Sequence, residues 1–133
     1  MKKTIAILLA LCLCVGLCAC ASMDTFKDNL GSDYRKTELD DDDLEAYEEM
    51  LDIDADDYGV KSAIQAVHKK KGTTVVIIEC GSNAKSNELS DDAEDIIDFL
   101  KKSYSSSYSF GIAVEGRFVL LGEESAIEDA LDE

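Results

Sequence analysis

Thr73-Thr74-Val75-Val76-Ile77-Ile78 is a β-branched run of hydrophobic character between Gly72 and Gly81. It reads as a central strand. Upstream, residues 58–71 fit two periods. Val60, Ala63, Ile64 and Val67 make a helical stripe, while Val60, Ser62, Ile64 and Ala66 make one face of a strand. The short polar Lys69-Lys70-Lys71-Gly72 link favours the strand and gives a β-hairpin over 59–80. Downstream, Ser90 stands as an N-cap. Ala93, Ile96, Ile97 and Leu100 follow at helical spacing, with Lys101 and Lys102 at the C-terminal end. Tyr108, Phe110, Ile112 and Val114 then alternate with Ser109, Gly111 and Ala113, the pattern of a strand. Glu115-Gly116 reads as a two-residue turn and Phe118 to Leu121 as the returning strand. Ser125-Ala126-Ile127-Glu128 is a capping box opening a last helix, with Ile127, Ala130 and Leu131 on one face.

Ahead of the hairpin, Leu44, Tyr47 and Leu51 recur at i, i+3 and i+7 and predict a short amphipathic helix over 41–51. Asp40 to Asp43 fall at its start, where negative charge suits the helix dipole. Glu45 and Glu49, like charges one turn apart, oppose it weakly. Residues 20–37 are mostly polar and read as a flexible tether with an r.m.s. reach of roughly 20–25 Å. Within it, Phe26 and Leu30 fit one turn of helix before Gly31. The order predicts one α+β domain over 38–133. Its core is a four-stranded antiparallel sheet in ββαββα order with helices on one face, preceded by a short acidic helix.

The first twenty residues form an address. Lys2 and Lys3 precede an apolar run, Ile5 to Leu17, that is too short for a span of about 20 residues. An ordinary signal peptide cut after Ala19, or a retained anchor, would use the same run. Leu17-Cys18-Ala19-Cys20, however, resembles the lipobox of bacterial lipoproteins. That resemblance implies a signal peptide over 1–19, acylation of the Cys20 thiol, cleavage just before it, and attachment to the extracytoplasmic face of the cell membrane. Two acyl chains suffice for a stable anchor.

The whole chain of 133 residues carries a formal charge of −16. Removing 1–19 takes Lys2 and Lys3 and leaves 11 basic against 29 acidic side chains, a net −18. Twelve of those acids lie in the twenty positions from Glu38 to Asp57. Such a surface repels nucleic-acid phosphates and anionic headgroups, so the lipid must do the anchoring. A cationic protein or peptide, or a metal ion, is the partner it favours. Of five cysteines, Cys12, Cys14, Cys18 and Cys20 lie in the leader region, which leaves Cys80 alone. An intramolecular disulfide and a cysteine zinc site are both ruled out for the processed chain.

The chain also resembles a family of small lipoproteins from Gram-positive bacteria that carries a domain of unknown function. The resemblance covers about residues 44–131. Beside the lipobox it rests on Asp43-Leu44-Glu45-Ala46-Tyr47, on Val75-Val76-Ile77-Ile78-Glu79, and most specifically on the block from Ala113-Val114-Glu115-Gly116-Arg117 to Gly122. Family members often have a Tyr-x-Pro segment where this chain has Tyr104-Ser105-Ser106, and proline is absent throughout. The resemblance implies a location and no activity.

Candidate chemistry is sparse. Asp52, Asp54 and Asp56 have the odd-position spacing of a calcium loop, but Asp57 stands where glycine is required and Ala63 where the closing glutamate belongs. Cys80 is in phase with Val76 and Ile78 and reads as a buried thiol. A cysteine hydrolase would need His68, the sole histidine, as its base, with no orienting or oxyanion element in view. The serine-rich 103–109 turn with Tyr104 and Tyr108 reads as a loop, and nucleotide-binding and nucleophile-elbow motifs are absent. No cofactor is implied. The sequence therefore points to a non-catalytic accessory or binding module, with an inhibitor or immunity-type lipoprotein as the alternative. The expected docking surface is Asp40, Asp41, Asp42 and Asp43, with Tyr47 or Tyr58 as apolar anchor. Cys20→Ala is expected to abolish labelled fatty-acid incorporation and lipoprotein-type cleavage in cells. Unchanged labelling would refute the lipobox assignment.

Overall fold

The computed structural model describes residues 22–103 and 109–132. Residues 1–21, where a signal peptide and the acylated Cys20 are expected, lie outside the described residues, as do Tyr104 and Tyr108. In chain order the elements are α1 (Met23–Leu30), a 3-10 turn (Gly31–Asp33), β1 (Tyr34–Glu38), α2 (Asp41–Leu51) and a second 3-10 turn (Ala55–Tyr58). Then come β2 (Ser62–His68), β3 (Thr74–Glu79), α3 (Asn83–Ser103), β4 (Phe110–Glu115), β5 (Phe118–Glu123) and α4 (Glu124–Leu131). The strands form one antiparallel sheet in the order β1-β2-β3-β5-β4. No described helix is long and apolar enough to cross a membrane.

The fold is α+β, as expected, but the sheet has five strands and is covered on both faces. Because side chains alternate across a strand, β3 feeds two cores. Val75 and Ile77 join Ile64, Ala66, Phe118 and Leu120 beneath α1 and α4. Val76 and Ile78 join Ala63, Cys80, Val119 and Leu121 beneath α3, with Leu44 and Tyr47 of α2 packed at the margin. The expectation of helices on one face fails because the apolar run 75–78 has no polar face to leave uncovered.

Residues 20–37 are not a tether where the structure describes them. Ser22 caps α1, and Phe26, Leu30 and Tyr34 are all buried in the first core. Phe26 meets Phe118 edge-on with ring centroids 5.1 Å apart. Asn29 Nδ2 donates to the Ala130 carbonyl at 2.8 Å, and the Tyr34 hydroxyl donates to Asp129 at 2.7 Å, tying α1 and β1 to α4. Strand β1 then pairs with β2 from Tyr34 opposite His68 to Glu38 opposite Ile64. The hairpin over 59–80 and the helix over 41–51 stand as expected.

Three local boundaries move. Helix α3 starts seven residues before Ser90, at Asn83, because Ser82 Oγ accepts from Lys85 N–H at 3.2 Å. That first turn is anchored by buried Ser86, whose hydroxyl donates to the Gly116 carbonyl at 2.7 Å. The hairpin turn is Gly116-Arg117, with Glu115 opposite Phe118 and Gly116 at a φ of 61°, which a glycine in the first central position supplies. Ser125 lies inside α4 and caps nothing. Strand β5 runs directly into the helix, and Glu124 N–H donates to the Ser109 carbonyl. Gly122 is also fixed by contact: at a φ of 143°, a Cβ there would stand 2.3 Å from the Thr74 carbonyl oxygen.

Phe26→Ala is expected to destabilise the chain by about 3–5 kcal/mol through lost burial and a residual cavity, lowering the urea midpoint with an unchanged m-value. A loss below about 0.5 kcal/mol, the range of surface changes, would mean that residues 23–34 are a tether after all.

Candidate functional site

Helix α2 organises the acidic segment, and its four aspartates have different tasks. Asp40 and Asp43 form a reciprocal capping box: Asp43 N–H donates to Asp40 at 2.9 Å, and Asp40 N–H donates to Asp43 at 3.2 Å. Asp41 and Asp42 are exposed in the first turn. Tyr47 lies half-buried over the sheet, its hydroxyl donating to Gln65 Oε1 at 2.8 Å. Burial first, then the charge of Asp43, raises its pKa. Beside it is an open recess of about 410 Å³ bounded by Leu39, Asp42, Asp43, Ala46, Tyr47 and Gln65. Carboxylates border this recess, and among the described residues no lysine or arginine lines it.

Tyr58 is not a surface anchor. It is buried in the second core and its hydroxyl donates to Asp92 on α3. Burial, that hydrogen bond and neighbouring carboxylates all raise its pKa. The sequence placed Tyr58 next to an acidic run, but the 3-10 turn rolls the ring under α3.

The Asp52, Asp54 and Asp56 series does not converge on a cation. Asp52 takes the left-handed position that ends α2, at a φ of 55°. Asp54 caps the following turn by accepting from Asp56 N–H at 3.0 Å. Among the described residues no group of three His, Cys, Asp or Glu side chains is placed to hold a metal ion.

Cys80 is fully buried beside Val76 and Ile78, the phase read from the sequence. Burial, then the charge of Glu79, lifts its thiol from the ordinary 9.0 to about 11, the opposite of what a nucleophile needs. His68 lies at the far end of the hairpin. Its N–H donates to the Thr73 carbonyl, and its Nδ1 accepts from Lys70 and Lys71 N–H at 3.1 Å each. Its ring meets Tyr34 edge-on. Thr73 and Cys80 are seven positions apart along an extended strand, about 23 Å, so thiol and imidazole are far outside hydrogen-bond reach.

A second recess, of about 490 Å³, was not anticipated. It follows the outer side of β4, between α3 and α4. Glu94 and Asp98 stand on one bank and Glu124 and Glu128 on the other, each pair four residues apart on its helix. The available sequence signal was a pair of carboxylates beside an apolar helix position, Ile97 in one case and Ile127 in the other. Comparison with protein-family models, curated proteins and solved structures finds no match to this chain.

Four side chains with raised pKa values, Cys80, Tyr34, Tyr47 and Tyr58, give the fold an alkaline limit. The Cys80 thiol is raised to about 11 and the Tyr34 hydroxyl from 10.0 to about 12, the latter by burial and then by its hydrogen bond to Asp129. All four are charged when deprotonated, so the folded state retains protons that the unfolded chain gives up. The contribution of Cys80 and Tyr34 is intact below pH 9 and is lost as pH rises from about 9 to about 12. Urea midpoints are expected to fall across that window, and Cys80→Ala to flatten the part between pH 9 and about 11. Peptide mapping after iodoacetamide at pH 8 should find Cys80 unmodified in the folded chain and alkylated after denaturation. Rapid native alkylation would contradict its burial.

Proposed function

We propose that this protein is a lipoprotein anchored through Cys20 to the extracytoplasmic face of the cell membrane, acting as a non-catalytic binding module for a cationic protein or peptide. The small lipoproteins it resembles share that expected location. The observation that carries the reading is the α2 recess, where Leu39 and Tyr47 offer partly exposed apolar surface beside Asp42 and Asp43, with no lining cation among the described residues. Charge speeds the encounter and apolar contact supplies holding energy. Helix α1 begins three residues after Cys20, so an acylated chain has almost no tether and holds this acidic surface close to the membrane.

Asp41 and Asp42 are the residues to test, because neither belongs to the capping pair. Asp41→Asn/Asp42→Asn is expected to reduce the association rate of a labelled decalysine peptide with the full chain about threefold at low salt. The difference should shrink as salt approaches 0.5 M, where the screening length falls to about 4 Å. An unchanged on-rate and salt slope would reduce the acidic face of α2 to solvation.

A further inference from the structure

The two edges of the sheet are built differently. Strand β1, at one edge, presents Arg35, Lys36 and Glu38, the kind of charges by which edge strands resist unwanted pairing. Strand β4, at the other, reads Phe110-Gly111-Ile112-Ala113-Val114 before its first charge, Glu115. The hairpin closes at Glu115 opposite Phe118, and the Ser109 carbonyl accepts from Glu124 N–H. Antiparallel alternation between those two points turns the backbone of Gly111 and Ala113 toward β5. It turns the N–H and C=O groups of Ile112 and Val114 toward the outer edge, where no strand lies among the described residues.

The 490 Å³ recess runs along that same edge, with Gly111, Ile112 and Ala113 as its floor. Its banks combine apolar steps, Ile97 and Ile127, with Glu94, Asp98, Glu124 and Glu128, and among the described residues no lysine or arginine lines it. We propose that this groove binds an extended, basic segment of a partner protein, which adds to β4 as a sixth strand and carries lysine or arginine on both of its faces. An added strand would send alternate side chains toward α3 and toward α4. Each helix offers two carboxylates, so a segment basic on one face only would meet half of them. The backbone groups of Ile112 and Val114 set register and the four carboxylates select charge. A second copy of the chain is the wrong occupant, because β4 against β4 would press two such carboxylate sets together on chains of charge −16 each. This groove shares with the proposed α2 docking surface only the sign of the partner's charge.

The test uses the full chain in non-ionic detergent and a fluorescein-labelled octapeptide, Lys-Lys-Val-Val repeated twice, which is basic on both faces when extended. Saturable binding is expected, and hydrogen exchange at the Ile112 and Val114 amides should slow about tenfold on binding, as new edge hydrogen bonds require. The same peptide N-methylated at its four central residues keeps its charge but can pair by neither edge, and should bind at least about tenfold more weakly. Glu94→Gln/Glu128→Gln should weaken the unmodified peptide about fivefold, whereas Asp41→Asn/Asp42→Asn should leave the protection of the Ile112 and Val114 amides at saturation unchanged. Equal affinity for both peptides, or unprotected Ile112 and Val114 amides at saturation, would overturn the proposal. Protection of those amides that grows with concentration of the chain alone, with a dimer in sedimentation, would overturn it in favour of self-pairing. Loss of binding in the α2 variant but not the groove variant would overturn this site and leave the α2 reading standing.

Discussion

Strand β3 is buried on both faces, and each face demands its own cover. Val75, Val76, Ile77 and Ile78 are all 6% exposed or less. At about 1.5–3 kcal/mol per side chain, their burial is worth roughly 6–12 kcal/mol gross, as an upper estimate. That is comparable to the entire net stability of a domain. A single helical layer would leave half of it in water. The chain meets the demand with α1 and α4 on one side and α2 and α3 on the other, which makes residues 23–34 part of the domain rather than a leash.

Two-sided cover also determines which surfaces stay open to solvent. The sheet's faces are covered, so the surfaces left exposed are the outer sides of the helices and the strand edges. Strand β1 is a charged edge. Strand β4 is an apolar one lying between two helices from opposite layers, and it is their opposition that creates a groove. Acidic side chains border both recesses, consistent with the chain's net charge of −16. The buried Cys80, distant from His68, belongs to the packing instead.

Much of this was legible in the sequence. The run at 74–79, the Lys-Lys-Lys-Gly link and the alternation after Phe110 gave the strands, and Leu44, Tyr47 and Leu51 gave α2 with its bounds. What escaped has physical reasons. Strand β1 buries only Tyr34, so it shows no alternation. In α1 only Phe26 and Leu30 are buried, too few to distinguish a docked helix from a polar linker. The opening of α3 is held by Ser82 and Ser86, residues that read as loop until the Gly116 carbonyl is seen beside the Ser86 hydroxyl. Asp40 to Asp43 do stand at a helix start, but periodicity cannot tell a capping carboxylate from a free one. The β4 groove joins Glu94 and Asp98 to Glu124 and Glu128 across about thirty residues, and only the assignment of α3 and α4 to opposite faces brings them together.

Both helical layers are expected to cover β3 in one cooperative unit. Native-state hydrogen exchange of the full chain tests it most directly. Cooperative units share an opening free energy, so the amides of α1 around Leu30 are expected to exchange with the same free energy and denaturant dependence as those of Ile77. Exchange of the α1 amides at unprotected rates, with β3 still fully protected, would show that the sheet stands without its second cover and would contradict the account.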